Sequence, residues 1–328
     1  MAFDGEAQPR GGTDYPRRWS EFQGWFPGEE ECIAYLERLR WGGGFKCPNC
    51  GGTRAWRSRR RLWVCAACQR QTSVTAGTIF DKTRTPHRTW FATAWHVTGQ
   101  KVGVSALGLE QVMGFSYETA WTHLHKLRRA MVRPGRDRLR GDVEVDETYV
   151  GGEEERGGRF TLKKAIVLIA IDSEPGRGLG RVRLGWAEDA SQASLEPFVL
   201  EAVEPGSRIL TDAWGGYNRL GKLGYQHKVI NLSNSGDPAH VAMPAVHRVA
   251  SLLKRWLLGT HQGSVALWHL PYYLDEFTFR FNRRRSRHRG LLFYRLLAQA
   301  VDVAPVTLDQ MRRVALPGRK STSSGHWS

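Results

Sequence analysis

Cys47 and Cys50 form one Cys-x-x-Cys pair, and Cys65 and Cys68 form a second after a gap of fourteen residues. Zn²⁺ takes four thiolate or imidazole ligands in a tetrahedron, and two short knuckles across a hairpin-length gap deliver them from two loops. The gap lies close to the about 15–20 residues usual for this pattern. Pro48, Asn49, Gly51 and Gly52 supply turn residues around the first knuckle, and Ala66 and Ala67 keep the second small. The pattern reads as a structural zinc ribbon, because four thiolates leave no open position for water. Redox dithiols seldom come twice in register, and disulfides suit a secreted chain. The fifth cysteine, Cys32, falls in a helical-looking stretch and reads as a small buried hydrophobe.

A second set of chemistry-bearing residues lies beyond residue 140. In Asp142-Val143-Glu144-Val145-Asp146-Glu147-Thr148-Tyr149, alternation puts Asp142, Glu144 and Asp146 on one strand face and the valines on the other. A wet sheet face explains any one of these acids. Asp146, however, sits mid-strand among β-formers, where an unpartnered carboxylate is costly and a metal relieves the cost. Asp212 ends a strand at the Gly215-Gly216 turn, where sites collect in such sheets, although a turn-capping aspartate has the same pattern. The helix expected over 244–255 contains no carboxylate. His247 is its polar candidate, and Lys254 follows seven residues later, two turns down the same face.

These groups need a sheet to hold them. Residues 143–150, 165–171 and 181–187 read as three successive strands, the second a continuous apolar run. A helix over 191–203, a strand over 208–211, a short helix, a strand over 225–230 and a long helix from about 245 to 258 follow. That order predicts an α/β mixed sheet with flanking helices, the ribonuclease-H-like arrangement. Between ribbon and sheet, residues 87–100 show helical spacing, and residues 105–112 and 116–129 form two amphipathic segments joined through Met113-Gly114-Phe115. Ser116 is placed to cap the second. This is the layout of a helix-turn-helix, with Glu118, Thr119, Thr122 and His125 facing a groove and Lys126, Arg128 and Arg129 facing phosphates. A packed helix pair with a merely solvated basic face produces the same pattern, and the neighbouring ribbon favours DNA.

The chain has 328 residues, enough for two or three domains, with 48 Lys and Arg against 32 Asp and Glu and a net charge of +16. Such a surface attracts a polyanion and releases its counterions. No apolar run approaches the roughly 20 residues of a spanning helix, and the N-terminus has no basic start or apolar h-region, so a cytoplasmic, nucleoid-associated protein without membrane contact is expected. The expected division is a disordered tail over 1–18, a zinc ribbon region over 19–82, a helix-turn-helix over 83–138, a catalytic core over 139–290 and a C-terminal helix and tail over 291–328.

Three segments carry a family resemblance: residues 145–152 (Val-Asp-Glu-Thr-Tyr-Val-Gly-Gly), residues 211–217 (Thr-Asp-Ala-Trp-Gly-Gly-Tyr) and residues 273–284, where a helix of aromatics ends in Arg283 and Arg284. Over roughly residues 19–300 the chain resembles bacterial insertion-sequence transposases of the zinc-ribbon, DDE-type (ISXO-type) family. The resemblance implies that Asp146 and Asp212 are the first and second catalytic aspartates. The family's third position is Glu, Asn or His with Lys seven residues later, so His247 and Lys254 match the histidine-bearing branch. Glu276 is a fallback third ligand.

What the resemblance implies chemically is two-metal phosphoryl transfer on DNA. Two Mg²⁺ or Mn²⁺ ions held by Asp146, Asp212 and His247 activate water to nick the element's end, and the freed 3′-hydroxyl then attacks target DNA. Lys254, Arg283, Arg284, Arg285 and Arg287 are expected on phosphates, the ribbon and helix-turn-helix on terminal inverted repeats, and at least a homodimer on the DNA. One rival is a DNA-binding regulator that has lost nuclease chemistry, and another is a zinc-ribbon scaffold that reads no DNA sequence.

Overall fold

The computed structural model describes residues 8–132, 135–151, 165–173, 178–230, 239–261, 269–286 and 288–312. Residues 1–7, Arg287 and residues 313–328 of the expected C-terminal helix and tail lie outside the described residues.

The chain begins with two helices, α1 (Trp19–Trp25) and α2 (Glu29–Trp41). Glu29, Glu30 and Glu31 in the first turn of α2 and Arg38 and Arg40 in its last turn both complement the helix dipole. Three short antiparallel strands follow, β1 (Ala55–Arg57), β2 (Trp63–Cys65) and β3 (Gln71–Thr72). Their apolar core is small, chiefly Phe45, Cys47 and Cys65 with Trp41 and Trp63 against them. The cysteines must hold it. Cys47 Sγ lies 3.6 Å from Cys68 Sγ, and Cys50 Sγ lies 3.6 Å from Cys65 Sγ. All four sulfurs fall within 4.8 Å of one another. Tetrahedral thiolates about 2.3 Å from a zinc ion stand about 3.8 Å apart, so the four residues fit the ion.

Next come α3 (His87–Gly99), α4 (Ala106–Met113) and α5 (Tyr117–Ala130). Ser105 Oγ accepts the Gly108 N–H at 3.0 Å, and Ser116 Oγ accepts the Thr119 N–H at 3.3 Å, so each helix of the expected pair has a hydroxyl cap. Gly114 ends α4 at φ 69°, a left-handed conformation that favours glycine.

The remainder builds a five-stranded sheet from β4 (Asp142–Val150), β5 (Ala165–Asp172), β6 (Val182–Ala187), β7 (Arg208–Asp212) and β8 (Gln226–Ile230), in the order β6-β5-β4-β7-β8. The first three strands are antiparallel neighbours, whereas β7 runs parallel to β4 and β8 parallel to β7. Helix α6 (Gln192–Ala202) precedes β7, and two 3₁₀ turns, Gly215–Tyr217 and Leu220–Leu223, lie between β7 and β8. The short α7 (Ala239–Ala242) and the long α8 (Pro244–His261), α9 (Leu270–Asn282) and α10 (Arg289–Ala300) follow, ending with α11 (Leu308–Arg312). Residues 165–171 are buried throughout, as a strand covered on both faces must be. Val143, Val145, Ile166 and Leu168 pack with Leu195 and Val199 of α6. Val167, Ile169 and Ile171 pack with Val246, Val249 and Leu253 of α8 and with Phe277 of α9. Among the described residues no helix is long and apolar enough to cross a membrane.

A third core joins Phe22, Phe26 and Leu36 to Trp90, Phe91, Leu124 and Leu127, and α10 inserts Phe293, Leu296 and Leu297 into it. The C-terminal helix therefore packs with the N-terminal helices, not as a separate appendage. Residues 8–18 also depart from expectation. Tyr15 is buried beside Tyr294, and the Tyr35 hydroxyl donates to the Asp14 carbonyl at 2.8 Å, so this stretch is tied down by buried contacts despite its Gly- and charge-rich composition.

Helices and sheet are joined by a buried ion cluster. Glu276, fully buried on α9, accepts from Arg128 Nε of α5 at 2.7 Å and from Arg280 Nη2 at 2.6 Å. Arg280 also donates to the carbonyls of Gln100 at 2.6 Å and Val97 at 2.9 Å. Burial pushes the Glu276 carboxyl up, but Arg280 and Arg128 outweigh it and hold it down at about 2. This corrects the fallback assignment: both Glu276 oxygens are committed to arginines.

Two predictions follow from these contacts. Stripping zinc with a strong chelator should abolish hydrogen-exchange protection over 46–72 while the sheet and helical cores stay protected; unchanged protection there contradicts a metal-held ribbon. Glu276→Gln leaves two buried guanidinium groups without their counter-charge and should cost about 3–5 kcal/mol in denaturant unfolding. Because the folded carboxyl is depressed, its contribution is present in full above the unfolded value of about 4.3 and is lost as pH falls through about 2. Wild-type stability should fall over that window, and the variant's dependence should be shallower.

Candidate active site on the central strand

Strand β4 places Asp142, Glu144 and Asp146 on one face, and the structure treats each differently. Asp142 Oδ1 accepts from Arg208 Nε at 2.8 Å at the start of the parallel β4–β7 pair. Glu144, buried, turns a carboxylate oxygen onto the N-terminus of α8 and accepts the Val246 N–H at 2.8 Å. A carboxylate at a helix N-terminus satisfies orphan N–H groups and complements the dipole. Among the described residues Asp146 accepts only the neighbouring Glu147 N–H, at 2.9 Å, and no cationic side chain pairs with it.

Asp212 reaches the same place along β7. The parallel register runs as far as Glu144 with Leu210, two residues short of Asp146 and Asp212 on the same two strands, and the charge of Asp212 is felt at Asp146. Asp212 Oδ1 caps the following turn by accepting the Trp214 N–H at 3.0 Å. The turn-capping role therefore holds, and a second oxygen remains. Gly216 allows the turn to close: a Cβ there would lie 2.7 Å from Leu195 Cδ1 and 2.8 Å from the Ala190 carbonyl.

Electrostatically this is a crowded corner. Burial first, then the charges of Glu147, Asp212 and Glu144, push the Asp146 carboxyl up to about 7. Burial also raises Glu147, whose oxygen accepts the hydroxyl of the buried Tyr217 at 2.7 Å. Carboxylates that raise one another's charging energy are a cation's natural partners. The oxygen donors suit Mg²⁺ or Mn²⁺, and an imidazole suits Mn²⁺ better than Mg²⁺.

His247 lies half-buried in the first turn of α8, one residue after the Val246 N–H that Glu144 holds. Glu144 thus anchors this turn two residues along β4 from Asp146. Among the described residues the four cysteines form a ligand group within 4.8 Å, whereas Asp146, Asp212 and His247 do not close to that separation. Lys254 is exposed two turns further along α8, about 10 Å away. Glu144, Glu147 and Tyr217 went unassigned in the sequence. Glu144 has the alternation of an ordinary wet-face acid, and its helix partner is 102 residues away.

The expected DNA contacts divide. Thr119 and Thr122 are half-buried, and Arg129 is exposed. His125 is fully buried, donating from Nδ1 to the Trp121 carbonyl at 2.9 Å and stacking on Trp121. Burial, then the charge of Arg128, pushes its pKa down to about 3. Arg128 is the Glu276 partner and only 2% exposed. Both assignments to DNA are corrected. The physical reason is that α5 is packed on more than one side, by α3 and α10 and also by α9, so residues opposite its apolar stripe still turn inward. Lys126 is half-buried with its ammonium 6.0 Å from the Trp90 ring centre. Arg283 is half-buried over Phe279, whereas Arg284 and Arg285 are exposed. Arg284 also donates to the Phe281 carbonyl at 2.8 Å and to the Leu179 carbonyl.

Comparison with known proteins agrees with this layout. Residues 138–282 match the family described as ISXO2-like transposase domain, and residues 27–71 match the transposase zinc-ribbon domain. A protein of Halobacterium salinarum, described as an uncharacterized protein in transposable element ISH50, is 26% identical over 279 residues, covering 78% of this chain and 91% of its own. No solved structure matches the chain. The four-cysteine ribbon thus falls within the match to the transposase zinc-ribbon domain, and the sheet bearing Asp146 and Asp212 falls within the match to the ISXO2-like transposase domain.

Proposed function

We propose that this protein is a DDE-type DNA transposase that cuts the ends of an insertion sequence and joins them to target DNA. The observation that carries the reading is Asp146: a mid-sheet carboxylate whose pKa is pushed up to about 7 by burial and by Glu147 and Asp212, with no cationic side chain paired to it among the described residues. The strand order β6-β5-β4-β7-β8, with two antiparallel and two parallel neighbour pairs, supports a ribonuclease-H-like core. The capped α4–turn–α5 pair beside the ribbon supports a helix-turn-helix that reads terminal inverted repeats.

Mg²⁺ or Mn²⁺, two ions when bound, supplies Lewis-acid activation of the attacking oxygen and stabilisation of the leaving 3′ oxygen. Asp146 and Asp212 offer the carboxylates, and His247 offers the imidazole of the Asp-Asp-His-Lys set. Glu144 positions His247 by fixing the first turn of α8. Tyr217 holds Glu147 by its hydroxyl, keeping that carboxylate directed at one partner. Lys254, exposed on α8, meets a backbone phosphate as a point charge. Arg129, Arg284 and Arg285 are placed to follow the duplex, and cleavage of paired ends requires at least two chains. In the first reaction water displaces the 3′ oxygen at the element's end; in the second the freed 3′-hydroxyl displaces a 3′ oxygen in target DNA.

A plasmid carrying the element's ends, incubated with zinc-loaded protein and Mg²⁺ or Mn²⁺, tests this. Wild type should nick at the ends, and Asp146→Asn and Asp212→Asn should each lower the rate by about a thousandfold, several kcal/mol of lost transition-state stabilisation. Equal cutting by all three contradicts the roles given to Asp146 and Asp212, and none by any favours the regulator that has lost nuclease chemistry. Asp146→Asn should also raise the thermal midpoint measured in EDTA, because it removes a charge that its neighbours oppose; a lower midpoint contradicts that electrostatic picture.

A further inference from the structure

On the other side of the sheet's β6 edge lies a cavity of about 260 Å³, bounded by the end of α5, the 135–138 connection, the start of β6 and the last turn of α9. Arg136, Arg181, Arg183 and Arg283 line it, against one acid, Asp137. Register separates it from Asp146: Arg183 pairs with Ala170, which pairs with Val145, so Arg183 shares the face of Val145 and not that of Asp146. Arg183 is 5% exposed, and its guanidinium donates to two neutral carbonyls, Val182 at 3.2 Å and Asp137. Burial, then the charges of Arg136 and Arg181, pushes it down to about 10. Arg181, at the exposed rim, meets carboxylates only loosely, Asp172 at 3.7 Å and Asp137 at 3.8 Å. Burial lowers the Arg136 pKa, against the charges of Asp275 and Glu201, which raise it.

Converging guanidinium groups around a small cavity form an oxyanion site, because each presents a planar fork that matches phosphate oxygens. We propose that this cavity binds a phosphate group, with Arg183 and Arg136 beneath it and Arg181 and Arg283 beside it. The group is either a free phosphate anion or a single phosphodiester of bound DNA. Neither source involves the β4–β7 carboxylates, so this site stands or falls apart from the nuclease reading.

The test is calorimetric titration of orthophosphate into the zinc-loaded full chain at fixed ionic strength in chloride, for wild type, Arg183→Met and Arg181→Gln. Arg181 is exposed, so Arg181→Gln keeps the experiment decisive if Arg183→Met does not fold. Wild type should bind one phosphate per chain, and each variant should bind about tenfold more weakly or worse, the loss of one charge-assisted contact. A second arm measures binding to a short duplex. If the phosphate is a DNA phosphodiester, saturating orthophosphate weakens duplex binding and Arg181→Gln reduces the salt slope by about one; if it is a free anion, duplex binding is unchanged. The proposal is overturned if wild type shows no saturable phosphate binding and Arg181→Gln leaves the salt slope as it was, or if phosphate binds the folded variants as tightly as wild type.

Discussion

A carboxylate on a covered sheet face must find a partner or remain costly, and β4 carries three on one face. Arg208 neutralises Asp142 at the strand's beginning, and the N-terminus of α8 takes Glu144. What is left is Asp146, opposed by its neighbours and held near neutrality. The two satisfied acids do structural work that makes the third available. The Arg208 pair brings β7, and so Asp212, alongside; the Glu144 cap brings α8, and so His247, to the same face. A site of this kind is assembled by the interactions around it more than by the residues that react.

The second constraint is the buried Glu276 cluster. Arg128 belongs to the N-terminal helices, Arg280 and Glu276 to α9, and Arg280 reaches on to carbonyls at the end of α3. Charges buried this deeply tolerate little displacement, because separating them leaves uncompensated guanidinium groups in a dry interior. Together with the insertion of α10 among the N-terminal helices, this fixes the helical layer to the sheet layer. On the proposed reading, DNA held by the helices is thereby held in register with the carboxylates.

Much of this was legible in the sequence where local pattern decides. The apolar run 165–171 became a strand buried on both faces, Ser116 became the N-cap of α5, and the paired cysteines converged. The ISXO-type resemblance agrees with the matches to transposase-domain families over 27–71 and 138–282. Legibility ended where long-range packing overrides pattern. His125 and Arg128 sit at positions that a one-sided amphipathic helix exposes, yet α9 covers that side too. Nothing local distinguishes Glu144 from Asp146 on an alternating strand; their difference comes from a helix about a hundred residues downstream. Residues 8–18 have the composition of a loose tail, but Tyr15 finds a buried place beside Tyr294.

On the proposed reading, Asp146 and Asp212 share a divalent cation. Crystals of the zinc-loaded protein soaked in Mn²⁺ and measured at the manganese edge examine it directly. An anomalous peak bridging the two carboxylates, with His247 Nδ1 or Nε2 turned toward it, is the predicted result. Manganese bound elsewhere, with Asp146 still accepting only the Glu147 N–H and Asp212 only capping its turn, would contradict it.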